Sequence, residues 1–327
     1  MTRRTAPTSQ DVARLAGVSQ STVSYALTGA RPISEETRRR IEAAIEELGY
    51  HPNSGARTLR SRRSGVIGLM VPATAPRPVG PMPFLLAISQ EARRFDLDVL
   101  VVTADEGAAG VRRVAGTGLC DGLILMEISR QDERLDAVAA SGLPCVSLGK
   151  PDEMPGASVV DLDFELLGAK VVEGALAEGC ARLLLFGQLD EKSRRNDVSR
   201  FLRGLRAAAP AELEVVIAPG SPEEVVALDA SFDGAEDRTA LFGLSQEQEL
   251  LFALALAGRL GREDRVVISF ADQPLDGVGG PVATLPRLTP RQADVSALAV
   301  RELVRLLREP GAEPRTTLLP PDWAEAL

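Results

Sequence analysis

The sequence predicts a chain in two parts: three short helices, the first two forming a helix-turn-helix, followed by a larger α/β body. Up to residue 50, apolar residues recur at three- and four-residue spacing, as on the inward face of short helices. After Gly65, apolar runs alternate with helical stretches, which indicates parallel sheets covered by helices. Charge divides in the same way, because residues through Ser64 carry 11 arginines and 6 acids, a net of +5, whereas the remainder carries −14.

Composition points to a globular protein with room for two or three compact units, since 45% of the 327 residues are hydrophobic and 25% are charged. Apolar runs such as Val66–Val71 are far shorter than the roughly 20 residues that span a bilayer, and the first residues lack an apolar signal core. We therefore expect a cytoplasmic protein with no membrane partner. Cys120, Cys145 and Cys180 are odd in number and far apart, so we expect buried free thiols.

Several classes of enzyme lack the residues that they need. His51 is the single histidine, and it lies between Tyr50 and Pro52 in an expected turn, where a catalytic triad or a multi-histidine metal site finds no support. The glycines of GTGLCDG, residues 116–122, precede a strand instead of leading from a strand into a helix, so they predict a connecting turn. We expect no enzyme activity, no cofactor and no metal.

The stretch QDVARLAGVSQSTVSYALTG, Gln10 to Gly29, has the pattern of a helix-turn-helix. Thr8 can cap the first helix with Asp11 at its N3 position, Gly17 ends that helix, and Ser19 can cap the second. A third helix follows Ser34 and stops at Gly49. The residues expected to face inward are Val12, Leu15, Ala16, Val23, Ala26, Leu27, Ile41, Ala44, Ile45 and Leu48.

Uncharged polar side chains fill the outward positions of the second helix: Gln20, Ser21, Thr22, Ser24 and Tyr25. Such side chains can enter a major groove and bond to base edges or phosphates. The alternative is a helical hairpin with a merely polar outer face.

The next segment, HPNSGARTLRSRRSG from His51 to Gly65, carries four arginines and one large apolar side chain, Leu59. Pro52 ends the third helix, and the arginines repel one another, so the segment should be loose until phosphates are present. Leu59 could then wedge between base steps in a minor groove. The alternative is a solvated linker.

The run from Asp11 to Ser61 resembles, almost without gaps, the DNA-binding head and hinge of the lactose-repressor (LacI-type) family of bacterial transcription regulators. The resemblance implies that Gln20, Ser21 and Tyr25 read bases and that Leu59 wedges into the centre of a palindromic site. Tyr25 stands where many members carry Arg or His, and Thr28 replaces the usual Asn, so the operator sequence cannot be copied from a relative. The full set of expected DNA contacts is Thr8, Ser19, Gln20, Ser21, Thr22, Ser24, Tyr25, Asn53, Arg57, Leu59 and Arg60.

In the body, eight apolar runs predict strands and four stretches predict helices. The strands are Val66–Val71, Val99–Thr103, Gly122–Met126, Cys145–Leu148, Leu183–Phe186, Val215–Ala218, Ala240–Phe242 and Val266–Phe270; the helices are Phe84–Phe95, Glu165–Glu178, Phe201–Ala208 and Gln246–Leu260.

The resemblance implies that the body is a two-lobed core of the periplasmic-binding-protein type, with a ligand cleft between the lobes. Residues 64–160 would form most of the first lobe and residues 161–280 most of the second, and a late helix at Pro290–Arg308 would return to the first. The expected domains are a helix-turn-helix head, 1–50, a hinge, 51–63, and an effector-binding and dimerisation core, 64–327.

At the expected cleft, the sequence departs from the family's pattern in four places. Where family members usually carry Asp-Asn this chain has Asp163-Phe164, and where they carry Asn-Asp it has Leu244-Ser245. Ala271 occupies the position of a ligand-binding carboxylate. Phe201 occupies the position of the usual arginine, and Arg200 lies one place away. Each buried hydroxyl without a hydrogen bond costs about 1–3 kcal/mol. We therefore expect an effector that is more apolar than a monosaccharide, differently oriented, or absent. The candidate effector residues are Phe84, Asp163, Arg200, Ser245 and Asp272.

These observations favour a transcription regulator, acting as a repressor, that binds a pseudo-palindromic operator as a homodimer. One alternative is a regulator whose core answers to a partner protein or to no small ligand. The other class considered is a solute-binding protein, which would share the body but have no use for the basic head.

Overall fold

The computed structural model confirms the predicted fold class, with three N-terminal helices before two α/β lobes. It describes residues 7–28, 31–50, 63–71, 82–103, 106–154, 156–187, 189, 196–218, 221–233, 237–244, 247–259, 262, 264–271 and 287–324. The chain divides into two compact units, Met1–Gly65 and Val66–Leu327, which we call the head and the core.

The head contains α1 (Ser9–Ala16), α2 (Gln20–Thr28) and α3 (Glu35–Leu48). As predicted, Thr8 caps α1, because its hydroxyl accepts the Asp11 backbone N–H at 3.3 Å and the Asp11 carboxylate accepts the Thr8 N–H at 2.9 Å. Gly17 and Gly49 follow α1 and α3 in the left-handed conformation, with φ of 64° and 57°. Glycine adopts this conformation without strain, and so each helix ends where the sequence predicted.

The head core is built largely from small side chains, and two inward-facing predictions are wrong. Leu15 and Leu27 are exposed, whereas Ala13, which was not expected in the core, is buried. The buried face of α1 is centred between residues 12 and 13, so Leu15 lies roughly 100° round the helix from that centre. The buried core residues are Val12, Ala13, Ala16, Val23, Ile41, Ala44 and Tyr50.

The described part of the core has twelve strands and eight helices. The strands are β1 (Val66–Val71), β2 (Asp98–Thr103), β3 (Gly122–Leu125), β4 (Cys145–Leu148), β5 (Ser158–Leu162), β6 (Cys180–Phe186), β7 (Glu214–Ala218), β8 (Arg238–Gly243), β9 (Arg265–Phe270), β10 (Arg287–Thr289), β11 (Thr316–Leu319) and β12 (Asp322–Trp323). The helices are α4 (Met82–Arg93), α5 (Gly107–Thr117), α6 (Glu133–Ser141), α7 (Phe164–Ala177), α8 (Asn196–Ala208), α9 (Pro222–Ala230), α10 (Glu247–Leu256) and α11 (Gln292–Arg308).

The first lobe is a parallel sheet in the order β11-β5-β4-β3-β1-β2. The late helix α11 packs on this sheet, as the resemblance implied, and buries Val295, Ala299 and Leu303 in the same cluster as Ile67 and Leu69. Between α5 and β3, Gly118 has a φ of 61° and ends the helix. Gly116 lies near the end of α5 and Gly122 begins β3, so residues 116–122 lead from a helix into a strand through a turn at Gly118.

The second lobe is a sheet in the order β12-β10-β9-β8-β6-β7, parallel except for β12, which runs antiparallel to β10. The first lobe extends two residues past the expected division at Asp161, because β5 runs to Leu162 and pairs entirely within the first sheet. Asp161 interrupts the apolar pattern of SVVDL, which is why the sequence did not predict a strand there. The short strands β10 to β12 and the helices α5, α6 and α9 were likewise not predicted.

The three cysteines are free and buried, as the sequence predicted. Burial raises the pKa of Cys120 to about 11 and also raises the pKa values of Cys145 and Cys180, so these thiols remain protonated at neutral pH. Among the described residues, none of the helices has the length and apolar character to cross a bilayer.

Candidate nucleic-acid interface and cleft

A cluster of hydroxyl groups lies at the N-terminus of α2. The Thr22 backbone N–H donates to Ser19 Oγ at 3.1 Å, and the same oxygen lies 2.7 Å from both Ser21 Oγ and Thr22 Oγ1. Ser19 therefore caps α2, as predicted. The first turn of α2 has no acidic residue, so its exposed hydroxyls and N–H groups can approach a phosphate without charge repulsion.

Gln20 and Tyr25 are each held by a neighbour in the head. Gln20 Nε2 donates to Ser9 Oγ on α1 at 2.9 Å, and the Gln20 side chain is exposed. Tyr25 is half-buried, and the Arg31 guanidinium lies 5.4 Å from the centre of its ring. Many family members carry a basic residue at the position of Tyr25. In this chain, Arg31 places a cation beside that position.

Arg40 on α3 fixes the turn that joins α1 to α2. Its Nε donates to the Ala16 carbonyl at 3.1 Å, and its Nη2 donates to the Gly17 carbonyl at 3.1 Å. These carbonyls end α1, where the helix leaves backbone acceptors without an internal partner. Sequence reasoning counted Arg40 only as part of the basic charge and missed this role.

Replacement of Arg40 by methionine should lower the free energy of unfolding of the head by about 1 kcal/mol, because the hydrogen bonds from its charged guanidinium to two backbone carbonyls are lost at an exposed site. Hydrogen–deuterium exchange of the α1 amides in the full chain measures this loss. Arg39→Met is the matched control, because the neighbouring Arg39 is exposed and makes no such hydrogen bond to described residues. Equal exchange in the two variants would contradict the role of Arg40.

Six predicted site residues lie outside the described residues and stay predictions. Four belong to the expected hinge and two to the expected cleft: Asn53, Arg57, Leu59, Arg60, Ser245 and Asp272.

In the core, Asp163 lies between β5 and α7 and caps that helix. Its Oδ1 accepts the backbone N–H groups of Glu165 at 3.2 Å and Leu166 at 3.1 Å. The side chain is half-buried at the carboxyl end of a parallel strand, which is where α/β sheets present ligand-binding residues. As a ligand residue, Asp163 remains a prediction.

Arg200 on α8 is 2% exposed, although it is charged. Its Nη1 donates to Asp161 Oδ2 at 2.6 Å, its Nη2 donates to the Leu162 carbonyl at 3.1 Å, and the Phe164 ring centre lies 5.7 Å from the guanidinium. The neighbouring Phe201 instead stacks on Phe242 in the second-lobe core, with ring centres 5.4 Å apart. The helix therefore directs Arg200, one place from the usual family position, toward the first lobe.

Asp161 is the buried partner of Arg200, and sequence reasoning missed it. Besides Arg200, its carboxylate accepts the Lys150 backbone N–H at 3.1 Å and the Leu162 N–H at 2.9 Å. Burial raises the pKa of Asp161 to about 6, and the Arg200 charge and hydrogen bond oppose the rise. The carboxyl is therefore mostly ionised at neutral pH. The one signal in the sequence was an acidic residue inside an otherwise apolar run.

Phe84, the remaining effector candidate that the structure describes, lies on α4. It is half-buried and packs against the cluster of the first lobe that contains Ile67 and Ile88. Its role in binding a ligand stays a prediction.

Comparison with known proteins identifies the family. The family model for bacterial regulatory proteins, lacI family, matches residues 8–53. The HTH-type transcriptional regulator GntR of Pseudomonas aeruginosa is 30% identical over 333 residues, which cover 96% of this chain and 92% of that protein. This chain belongs to the LacI family. The HTH-type transcriptional regulator CelR of Thermobifida fusca is 28% identical over 88% of this chain and 91% of its own length.

Solved structures of LacI-type regulators share the fold. The lac repressor dimer bound to operator and the anti-inducer ONPF matches with a TM-score of 0.73 and 22% identity, covering 98% of each chain. The CelR–cellobiose complex matches with a TM-score of 0.61 and 23% identity, covering 97% of this chain and 98% of that one. This LacI-family chain is a DNA-binding transcription regulator, and the relatives named here are regulators rather than enzymes.

Proposed function

We propose that this LacI-family regulator is a cytoplasmic repressor that binds a pseudo-palindromic operator as a homodimer. The observation that carries the proposal is the uncharged, hydroxyl-rich outer surface of α2 on a head of net charge +5. Residues 1–50 would bind the major groove, residues 51–63 the central minor groove, and residues 64–327 the second subunit and any effector. A two-fold protein matches a two-fold site, so each head would read one half of the operator.

Exposed apolar side chains on both lobes support a dimer. In the first lobe, Met82 and Leu86 on α4 and Val101 on the edge strand β2 are exposed. In the second lobe, Phe252 and Leu256 on α10 are 62% and 74% exposed. Large apolar side chains grouped on a surface favour association, since burial in a partner removes them from water.

The effector is proposed to differ from a simple monosaccharide. The four departures in the cleft remove hydroxyl-binding groups, and the guanidinium of Arg200 is already engaged by Asp161. A solved neighbour is a complex with cellobiose, so the fold can hold a ligand larger than a monosaccharide. A core that answers to a partner protein, or to no small ligand, is the second candidate. Tight binding of glucose or another monosaccharide, measured by calorimetric titration, would refute the proposal that the effector differs from a simple monosaccharide.

Selection of bound duplexes from a random DNA pool by the full-length protein tests the proposed function. We expect enrichment of one site with two similar, inverted halves, and sedimentation of the complex as two chains per duplex. A pool that stays random, or a complex with a single chain, would contradict the proposal. Footprinting of the genome would then show from neighbouring genes which pathway is regulated.

A further inference from the structure

The ion pair between Arg200 and Asp161 joins the two lobes of the core. Asp161 lies in β5 of the first sheet, and Arg200 lies on α8, whose apolar side chains pack in the second lobe with β6 and β8. A second hydrogen bond joins the same regions, because Asn196 Nδ2 at the start of α8 donates to the Lys150 carbonyl after β4 at 2.8 Å. Rotation of one lobe against the other would strain or break both contacts.

The Arg200 guanidinium is bound by a carboxylate and a carbonyl of this chain. One nitrogen contacts a carboxylate and a second contacts a carbonyl, while its Nε makes no hydrogen bond to any described residue, although it is buried. A purely structural buried arginine is normally hydrogen-bonded at every nitrogen, because each buried N–H without a partner is costly. The unpaired Nε is therefore a buried group that calls for an explanation beyond packing.

We propose that Asp161 is an internal ligand of Arg200, which holds the lobes in the operator-binding arrangement without an added molecule. This inference rests on the proposed function. A neutral sugar offers only hydroxyl groups, which bind a guanidinium less strongly than a carboxylate does. A molecule with an anionic group is the class of effector that can compete with Asp161 for Arg200. The regulator would therefore bind its operator by default, and an anionic ligand would release it.

The distance between the lobes in the full-length protein tests the proposal. Spin labels on Leu119→Cys in the first lobe and Leu176→Cys in the second report this distance, since both sites are exposed and the native cysteines are buried. With Asp161 intact, we expect one narrow distance distribution that glucose does not change. Asp161→Asn should broaden it and weaken operator binding roughly five-fold or more, because the loosened core must be ordered again when both heads dock.

Glu165→Gln is the matched control. Glu165 pairs with Arg203, which also links α7 to α8, but both residues belong to the second lobe, and their side chains are 44% and 61% exposed. This variant should keep the wild-type distance and affinity. If Asp161→Asn does not fold, Asp161→Ala combined with Arg200→Met removes both buried charges and should fold, yet still show the broad distribution.

The proposal would be overturned if Asp161→Asn kept the wild-type label distance and operator affinity. If Asp161→Asn does not fold, the same result in the double variant would overturn it. So would an equal broadening in Glu165→Gln. If even the wild-type protein selects no DNA site, the proposed function fails, whereas the label distances still decide whether Asp161 holds the lobes together.

Discussion

Gln20→Ala should weaken binding to the selected operator about 5- to 150-fold, a loss of about 1–3 kcal/mol, and should relax specificity at one base pair of each half-site. Glutamine forms two hydrogen bonds with adenine in the major groove, and alanine forms none. Gln20 is exposed at the start of α2, and its amide is free to exchange Ser9 Oγ, 2.9 Å away, for a base edge. Because the side chain is neutral, affinity for random DNA and the salt dependence of binding should stay unchanged.

Fluorescence anisotropy with the operator, with single-base variants and with random duplexes, at several salt concentrations, measures these effects. Ser9→Ala is the matched control, because it removes the hydrogen bond within the head but leaves the Gln20 amide in place. It should keep wild-type specificity. A Gln20→Ala variant that loses operator and random DNA affinity to the same extent would place Gln20 outside the base-reading surface.

Gly204→Ala should destabilise the core by about 3 kcal/mol or more, because α7 and α8 cross in backbone contact at this residue. A Cβ atom at Gly204 would lie 1.9 Å from the Glu165 carbonyl oxygen, and a Cβ atom at Gly168 on the facing helix would lie 2.2 Å from the Phe201 carbonyl oxygen. Neither neighbour is a flexible side chain, so the helices must move apart. The movement would also displace Arg200, which lies one turn earlier on α8.

Calorimetry of the full chain should show the melting temperature of the core lowered by roughly 6–12 °C in Gly204→Ala. The control is Gly116→Ala near the end of α5, where a Cβ atom meets nothing within 4 Å. That substitution should be neutral or stabilise the core by up to about 1 kcal/mol, because alanine favours a helix over glycine. Similar melting temperatures for the two variants would show that the helix crossing tolerates a methyl group.

Local signals in the sequence were enough to predict the head. Helix caps depend only on the adjacent turn of backbone. The structure places Thr8 and Ser19 at helix starts and Gly17 and Gly49 at helix ends, where the pattern predicted them. Helical periodicity also predicted that Gln20 and Ser21 of α2 are exposed, but it wrongly placed Leu27 inward. Whether Ala13 or Leu15 is buried depends on which face of α1 the other two helices cover, and periodicity alone does not give that face.

For the core, the alternation of apolar runs determined the fold class, and the resemblance supplied the two lobes. The sequence did not reveal β5, because Asp161 breaks its apolar pattern, and so it placed the lobe boundary at that residue.

The sequence by itself therefore determined the class of fold, the ends of the head helices and the uncharged polar outer face of α2, since these depend on residues within a turn or two of one another. The tertiary structure alone decided that Arg200 meets Asp161, 39 residues away, and that Gly168 and Gly204 let two helices touch. A buried charge needs a partner of opposite charge, and the fold decides which residue supplies it. Glycine is needed at a helix crossing because the backbone of the facing helix leaves no room for a side chain. Both depend on packing between distant segments, which no local pattern records.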